Sequence, residues 1–200
     1  MSNLNEFDIE YRKDYKILCG VDEAGRGPLA GPVCCAAVIL NPDDEIEGLN
    51  DSKKLTAKKR EVLYNEIISR AICYDVEFIS EKTIDEINIL NATMLGMKIA
   101  IENLSVTPSL VLIDGNKCPD TDNVKCEYVI QGDAKSASIA AASILAKVTR
   151  DNYIIELGKK YPEYKLEQHK GYGTKLHYEM IAKYGVQDFH RLSFLKKLGY

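Results

Sequence analysis

A buried strand that ends in two adjacent carboxylates constrains this chain more than any other feature. The apolar run at residues 17–21 predicts a core strand, and Asp22 and Glu23 follow it directly. A glycine-rich turn that contains Arg26 comes next. Carboxylates at the end of a core strand are costly unless a cation neutralises them. The segment therefore predicts a metal ion beside an anionic substrate, although an exposed hairpin with a surface acid pair has the same local pattern.

Two further strand-like segments are also followed by an acid. The apolar run at residues 110–113 precedes Asp114, and the run at residues 126–130 precedes Asp133 after a short turn. Loops at strand ends converge in open α/β sheets, so we expect both acids to join the first acid pair in one site. Four carboxylates without a histidine cluster favour Mg²⁺ or Mn²⁺ over zinc. Two such ions about 4 Å apart can stabilise the attacking and leaving oxygens of a phosphoryl transfer.

The first acid pair presents a geometric difficulty. Neighbouring side chains on a regular strand point to opposite faces of the sheet. Asp22 and Glu23 can share a site only if the strand twists, bulges or ends between them, or if the longer Glu23 side chain curls round. The glycine-rich turn that follows makes such a distortion plausible.

The order of the predicted elements favours a mixed α/β sheet with helical cover. Strands are predicted at residues 15–23, 32–40, 73–79, 110–113 and 126–130, and helices at residues 57–72, 89–104, 137–157 and 175–184. The second strand is almost wholly apolar, which predicts that helices cover both of its faces. Gly158 is expected to end the third helix. Only helices are predicted after that point, which indicates a helical C-terminal lobe.

The 200 residues suit one domain with small additions. We expect an N-terminal extension at residues 1–14, a catalytic domain at residues 15–160, and a helical lobe at residues 161–200 that completes the substrate site. No apolar run approaches the roughly 18 residues of a membrane span, and no signal region is evident, so we expect a cytoplasmic protein without a membrane partner. The six cysteines include no C-x-x-C pair, which predicts reduced thiols.

Charge is distributed unevenly along the chain. The net charge is −4, yet residues 147–200 hold 11 Lys and Arg against 6 Asp and Glu. A basic C-terminal quarter beside an acidic body allows a phosphate-binding surface next to a carboxylate-rich metal site. Ordinary solvated helices would produce the same excess, so charge alone does not decide between the two.

The segment GVDEAGRGPLAGP at residues 20–32 resembles the characteristic motif of the type 2 ribonucleases H, and of bacterial ribonuclease HII in particular. Further similar blocks follow in the family's order, at residues 51–55, 113–115, 132–136, 139–151, 169–174 and 190–194. The related ribonuclease HIII type has a different glycine turn and a long N-terminal extension. Arg26 and the short leading segment therefore indicate the HII type.

This resemblance implies a ribonuclease H-like fold, a five-stranded mixed sheet flanked by helices. It implies hydrolysis of the RNA strand of RNA–DNA hybrids and incision of duplex DNA 5′ to single embedded ribonucleotides, leaving 3′-hydroxyl and 5′-phosphate ends. It further implies Mg²⁺ or Mn²⁺, with two ions when substrate is bound, and we expect a monomer. The implied metal ligands and catalytic residues are Asp22, Glu23, Asp114 and Asp133.

The resemblance also implies a set of substrate contacts. The turn formed by Gly25, Arg26 and Gly27 would grip the ribose 2′-hydroxyl, which is the main group by which proteins distinguish RNA from DNA. Tyr172 would support that ribose and sense the following deoxynucleotide. The remaining candidates for substrate binding are Ser52, Lys53, Lys54, Lys135, Ser136 and His169.

Several of these assignments leave an alternative open. The lysines near residue 53 also suit a solvated helix face, and Lys135 and Ser136 also suit the cap of the following helix. Asp151 lies near Lys147 and Arg150, which favours a supporting or solvent-facing role over metal binding. For the whole protein, the alternative is a non-catalytic RNA–DNA hybrid binder with a structural metal. The presence of all four acids disfavours it.

Overall fold

The computed structural model describes residues 4–122 and 124–196, and a five-stranded sheet lies at its centre. The strands are β1 (Leu18–Ala24), β2 (Val33–Ile39), β3 (Cys73–Ile79), β4 (Leu110–Asp114) and β5 (Cys126–Val129). Their order across the sheet is β3-β2-β1-β4-β5. The β1–β2 and β2–β3 pairs are antiparallel, whereas the β1–β4 and β4–β5 pairs are parallel. This confirms the predicted five-stranded mixed sheet.

Helices cover both faces of the sheet. They are α1 (Leu4–Arg12), α2 (Ala57–Arg70), α3 (Glu81–Glu102), α4 (Ala137–Lys160), α5 (Leu166–His169), α6 (Lys175–Tyr184) and α7 (Leu192–Leu195). Helix α3 packs against one face of β1 and β2, and α2 and α4 pack against the opposite face of β2. Every residue of β2 is therefore buried, as its apolar sequence predicts.

The first half of α4 lies directly against β1. Its small and aliphatic side chains are buried, and a Cβ added to Gly20 of β1 would overlap the backbone of Ser138. No side chain larger than hydrogen fits between the two elements at this point. Ser136 caps the helix, since its hydroxyl accepts a hydrogen bond from the Ile139 amide at 3.2 Å.

Three helices differ from their predicted bounds, and α2 differs least, ending at Arg70 rather than at residue 72. Gly158 does not end α4, which continues to Lys160, because α5 packs closely against the helix at this buried glycine. That contact outweighs the roughly 1 kcal/mol by which glycine disfavours a helix interior. Helix α3 begins at Glu81, eight residues before the predicted start. Asn88 interrupts it with φ 67°, and the Asn88 side chain caps the second segment through the Asn91 amide.

Both ends of the described chain pack onto the central sheet or its connections. Phe7 and Tyr11 of α1 pack against the apolar cluster that includes Leu18 and Leu112. The C-terminal helices share a second cluster with Ala30 of the β1–β2 connection. The proposed boundaries at residues 14/15 and 160/161 stay predictions. In the described part of the chain, no helix combines the length and apolar character needed to cross a bilayer.

We expect Gly20→Ala to lower the free energy of unfolding by about 3 kcal/mol, near the upper end of the range for overpacked cores. The added methyl group would lie between the backbone of β1 and the backbone of α4, and neither element can move easily. The measurement is urea unfolding at neutral pH. Gly27→Ala is the matched control, since a Cβ there would lie 3.8 Å from its nearest neighbour, and we expect a change within about 0.5 kcal/mol. Equal stability of the two variants would contradict the close approach of α4 to β1.

Candidate active site

Three carboxylates meet at one end of the sheet. Ligand oxygens of Asp22, Asp114 and Asp133 all lie within 4.8 Å of one another, and we call these residues the acidic cluster. Asp22 and Asp133 are buried, and Asp114 is partly exposed. Among the described residues, this is the group of acids that could hold a metal ion. The structure thus assembles three of the four acids that the sequence predicts to share a site.

The strand pleat explains how the first two acids meet. Side chains two residues apart on a strand share a face, so Asp22 lies on the same face as Gly20, against α4. Asp114 likewise shares the face of Leu112, which packs with Ile139 of α4. Asp133 reaches the same place from the 3₁₀ turn Gly132–Ala134, which leads into α4.

Glu23 is the fourth predicted ligand, and it points to the other face of β1. That face carries Val21 and packs against α3. The Glu23 carboxylate lies 3.4 Å from the Arg26 guanidinium rather than among the three clustered oxygens. Burial raises the pKa of Glu23, the charge of Arg26 opposes that rise, and the charge of Asp114 adds to it. Glu23 is thus electrostatically linked to the acidic cluster, and its role as a metal ligand stays a prediction.

Electrostatics make the acidic cluster unfavourable without a cation. Burial raises the pKa of Asp22 well above its ordinary value, and the charges of Glu23 and Asp114 raise it further. Burial also raises the pKa of Asp133, as do the charges of Asp114 and Asp51. Carboxylate oxygens without nitrogen or sulfur donors fit hard divalent cations such as Mg²⁺ and Mn²⁺. The residues present therefore suit the metal that the sequence predicts.

Backbone hydrogen bonds orient two of the clustered side chains. The Gly132 amide donates to Asp114 Oδ1 at 2.6 Å, and the Glu23 amide donates to Asp22 Oδ1 at 2.7 Å. Lys53 Nζ lies 3.6 Å from Asp133 Oδ2, while 80% of the Lys53 side chain is exposed. Burial lowers the pKa of Lys53, but the surrounding carboxylates outweigh this effect and hold the pKa above its ordinary value. A protonated lysine therefore stands at the open edge of the acidic cluster.

The glycine turn lies next to the acidic cluster and beside Tyr172. Gly25 has φ +93°, and a Cβ there would overlap the side chain of Arg150, so the position requires glycine. The nearest atom to a Cβ on Gly27 would be a ring carbon of Tyr172 at 3.8 Å. The side chain of Arg26 is half-exposed. The structure therefore places the predicted turn and the predicted tyrosine side by side.

Two buried arginines hold this turn, and the sequence analysis did not assign them a role there. Arg191 donates to the carbonyl oxygens of Gly25, Arg26 and Gly31 at 2.7–3.0 Å. Arg150 donates to those of Ala30, Pro32 and Lys170 at 3.1–3.2 Å. Both side chains are at most 1% exposed, and burial lowers the pKa of Arg191 to about 10. Both arginines lie in segments that resemble the family, and this was the one sequence signal for their role. The hydrogen bonds themselves go to backbone carbonyl groups, which every residue has, so the sequence does not reveal them.

His169 is placed differently from the expected substrate contact. The residue is 7% exposed and both ring nitrogens are engaged, Nε2 with the Tyr164 carbonyl and Nδ1 with the Gly171 amide. Its ring stacks on His177 with centroids 4.3 Å apart, and His177 Nδ1 lies 3.0 Å from the Tyr172 carbonyl oxygen. This placement favours a packing role, in which the histidines support the loop that carries Tyr172.

The other predicted contacts divide between buried and exposed positions. Ser52 is buried and hydrogen-bonds Ser143, and Ser136 is fully buried at the cap of α4. These serines therefore support the site as buried residues and are not exposed to a substrate. The exposed Lys54 lies 3.8 Å from Asp51, and Lys135 donates to the Ile130 carbonyl at 2.7 Å.

Asp151 is not among the clustered acids. Its carboxylate accepts a hydrogen bond from Lys147 at 2.8 Å, one turn away on α4. The favoured expectation of a supporting rather than metal-binding role agrees with this pairing. The residue therefore offers a natural comparison for substitutions within the acidic cluster.

We predict that Asp22→Asn stabilises the metal-free protein at about pH 8 and loses that advantage towards about pH 4. The folded-state pKa of Asp22 is raised above its ordinary 3.8. Below the pKa that Asp22 has in the unfolded chain, its protonated side chain contributes to the stability of the fold. This contribution is lost as the pH rises through the higher pKa that Asp22 has in the folded protein. Asparagine does not titrate. Urea unfolding in EDTA across this pH range measures the difference, with the exposed Glu6→Gln as control. A difference independent of pH would contradict the prediction.

Comparisons with known proteins point to one family. A family model described as Ribonuclease HII matches residues 19–197. A ribonuclease HII from Caldicellulosiruptor bescii is 57% identical over 197 residues, which cover 97% of this chain and 95% of that protein. The crystal structure of ribonuclease H2 from Pyrococcus horikoshii superposes with a TM-score of 0.75 at 30% identity, covering 88% of this chain and 93% of that one.

A more distant structure shares the fold alone. Bst-RNase HIII in complex with Mn²⁺ aligns with a TM-score of 0.71 at 17% identity, covering 89% of this chain and 67% of that one. The matches to the HII type extend over nearly the whole chain at much higher identity. Their names also decide against the non-catalytic alternative. The chain therefore belongs to the ribonuclease HII family, and it is a nuclease of the ribonuclease H type.

Proposed function

We propose that this nuclease hydrolyses the RNA strand of RNA–DNA hybrids and incises duplex DNA 5′ to single embedded ribonucleotides, leaving 3′-hydroxyl and 5′-phosphate ends. The observation that supports the proposal most is the position of the acidic cluster beside the glycine turn and Tyr172. A phosphodiester bound at the cluster would have its ribose within reach of groups that can recognise a 2′-hydroxyl. The names of the curated relatives support a ribonuclease.

We further propose that Asp22, Asp114 and Asp133 hold Mg²⁺ or Mn²⁺, with two ions when substrate is bound and Glu23 as an additional ligand. The support is the set of possible ligands: carboxylate oxygens of three aspartates within 4.8 Å of one another, with no histidine or cysteine in the group that the described residues form. Such ions supply a more acidic water and stabilise negative charge on a phosphate oxygen. The chain's own contribution is to hold the carboxylates in place through the Gly132 and Glu23 amides.

Recognition of the ribose would come from a turn that is already rigid. Arg191 and Arg150 fix the carbonyl groups of residues 25–32, so the backbone of the turn does not have to order on binding. The half-exposed Arg26 side chain and the 43% exposed Tyr172 are free to face a substrate. In this proposal Arg26 exchanges its 3.4 Å contact with Glu23 for the nucleic acid, which releases the Glu23 carboxylate.

The sugar–phosphate backbone of the substrate would pass the exposed lysines. Lys53 stands at the edge of the acidic cluster and keeps its proton, so it can neutralise a phosphate next to the reacting one. Lys54 and Lys135 are also exposed and would add positive charge for the same strand. We assign Ser52, Ser136 and His169 to support of this surface rather than to direct contact, because all three are buried with hydrogen-bond partners.

Two labelled duplexes test the proposal directly. One is a continuous RNA–DNA hybrid and the other is DNA that carries a single ribonucleotide, each incubated with Mg²⁺ and with EDTA. We expect metal-dependent cleavage of both, with the second cut on the 5′ side of the ribonucleotide. Binding of either duplex without any cleavage in Mg²⁺ or Mn²⁺ would overturn the proposal.

Asp114→Asn should abolish turnover while hybrid binding persists. The substitution keeps the shape of the side chain but removes a charge that a metal needs, and we expect a loss of at least about 100-fold in kcat. Binding should change by less than about threefold, since phosphate contacts dominate it. Asp151→Asn is the matched control, because it makes the same chemical change at an acid outside the cluster. Near-normal cleavage by the Asp114 variant would remove this residue from the site.

Arg26→Ala and Tyr172→Phe should impair cleavage at a single ribonucleotide more than cleavage of a long hybrid. One embedded ribonucleotide offers one 2′-hydroxyl, whereas a hybrid offers many registers and further contacts. A lost hydrogen bond to a buried polar group costs about 1–3 kcal/mol, or roughly five- to 150-fold in rate. The measured quantity is the ratio of the two kcat/KM values. Tyr184→Phe, at a similarly exposed tyrosine, is the control.

An unchanged ratio in both variants would show that the turn and Tyr172 do not sense the junction. The nuclease assignment itself would stand, because it rests on the family match and the acidic cluster rather than on this contact. A fall in both activities by the same factor would instead assign Arg26 to general phosphate binding.

A further inference from the structure

We propose that Asp8, on helix α1, is a positioning residue that sets the geometry of the acidic cluster and thereby its affinity for divalent metal. Asp8 is 1% exposed and lies outside the segment that the family model matches. An aspartate buried this deeply on a short N-terminal helix requires an explanation, since burying a carboxylate is costly unless it is well hydrogen-bonded. The proposal deepens the proposed function: it rests on the proposed metal site, and its activity readout rests on the proposed cleavage of hybrids.

Three donors from the start of α4 converge on the Asp8 carboxylate. Ser136 Oγ donates to Oδ1 at 2.6 Å, and the Ser138 amide and hydroxyl donate to Oδ2 at 2.8 and 2.7 Å. Burial raises the pKa of Asp8, whereas these hydrogen bonds lower it. The N-terminal end of a long helix also favours a negative charge at this point. Asp8 thus clamps the first turn of α4 from outside the sheet.

Backbone hydrogen bonds connect this clamp to the acidic cluster. The Ser136 amide donates to the Gly132 carbonyl at 2.8 Å, and the Gly132 amide donates to Asp114 Oδ1 at 2.6 Å. Asp133 lies within the same turn, between the two bonded residues. A shift of Ser136 would therefore move one clustered acid directly and change the support of another. Groups that orient metal ligands affect metal affinity even though they do not touch the ion.

Helix α1 is anchored to the sheet by apolar contacts, so the position of Asp8 is fixed. Phe7 and Tyr11 flank Asp8 on the helix, and they pack against the cluster of Leu18, Leu112 and Ile139. This cluster joins β1, β4 and α4, the elements that carry or border the acids. The position of Asp8 is thus fixed relative to the strands, and its hydrogen bonds transmit that position to the turn.

The test compares Mn²⁺ binding by folded variants, measured from the free Mn²⁺ signal in electron paramagnetic resonance. Asp8→Asn keeps the shape but removes the charge and replaces one acceptor oxygen with an amide donor, and we expect about three- to tenfold weaker binding. Glu6→Gln, an exposed acid on the same helix, should leave the affinity unchanged. Melting curves confirm that each variant is folded at the temperature of the titration.

A second pair of variants separates positioning from simple loss of charge. Ser136→Ala keeps the Asp8 charge but breaks the link to the turn, and we expect it to weaken Mn²⁺ binding as Asp8→Asn does. Ser138→Ala removes a hydroxyl from the same carboxylate but leaves the Ser136 link, and we expect unchanged affinity. This pair also decides the question if Asp8→Asn does not fold. Equal affinity of the Ser136 and Ser138 variants would overturn the proposal.

Activity supplies an independent readout. For Asp8→Asn, the Mg²⁺ concentration that gives half-maximal cleavage should rise by a similar factor, while the KM for the hybrid at saturating Mg²⁺ stays unchanged. Lower melting temperature with unchanged Mn²⁺ affinity and Mg²⁺ midpoint would show that Asp8 only anchors α1. If the parent protein binds Mn²⁺ but cleaves no hybrid, the proposed function fails while the metal titrations still decide the role of Asp8.

Discussion

The close packing of α4 against β1 is the constraint on which the rest of the site depends. At Gly20 the helix backbone meets the strand backbone with no side chain between them. This contact fixes the start of α4, and with it the turn that carries Asp133, beside the ends of β1 and β4. A side chain at position 20 would overlap the backbone of Ser138, a few residues after the turn that carries Asp133. A packing requirement in the core therefore determines the geometry of a charged site.

The same arrangement brings several carboxylates together in a partly buried place, and their mutual repulsion lowers the stability of the fold. Asp22 is buried beside other carboxylates, and its pKa is raised for that reason. A divalent cation removes the repulsion, so metal affinity and local instability have one origin. In the neighbouring turn, by contrast, the side chains of Arg150 and Arg191 donate hydrogen bonds to five backbone carbonyl groups. The protein thus combines a cluster of mutually repelling carboxylates with an adjacent turn that buried arginines hold in place.

Much of this could be predicted from sequence because the signals are local. Alternating or continuous apolar runs identify the strands, and helix caps such as Thr56 and Gly185 mark the ends of α2 and α6. Acids near the ends of core strands are expected to converge at one end of an open sheet, and Asp22 and Asp114, near the ends of β1 and β4, do lie close together. These inferences need only a few neighbouring residues, and tertiary contacts did not alter them.

The sequence by itself determined the strands, the mixed sheet and the acids available for a metal. Only the tertiary structure decided which groups meet. The pleat turns Glu23 away from Asp22, and the contact with α5 carries α4 through Gly158. Burial makes His169 part of the packing, and hydrogen bonds across more than 100 residues tie Asp8 to the first turn of α4. These outcomes depend on partners distant in the chain, and local patterns do not record such partners.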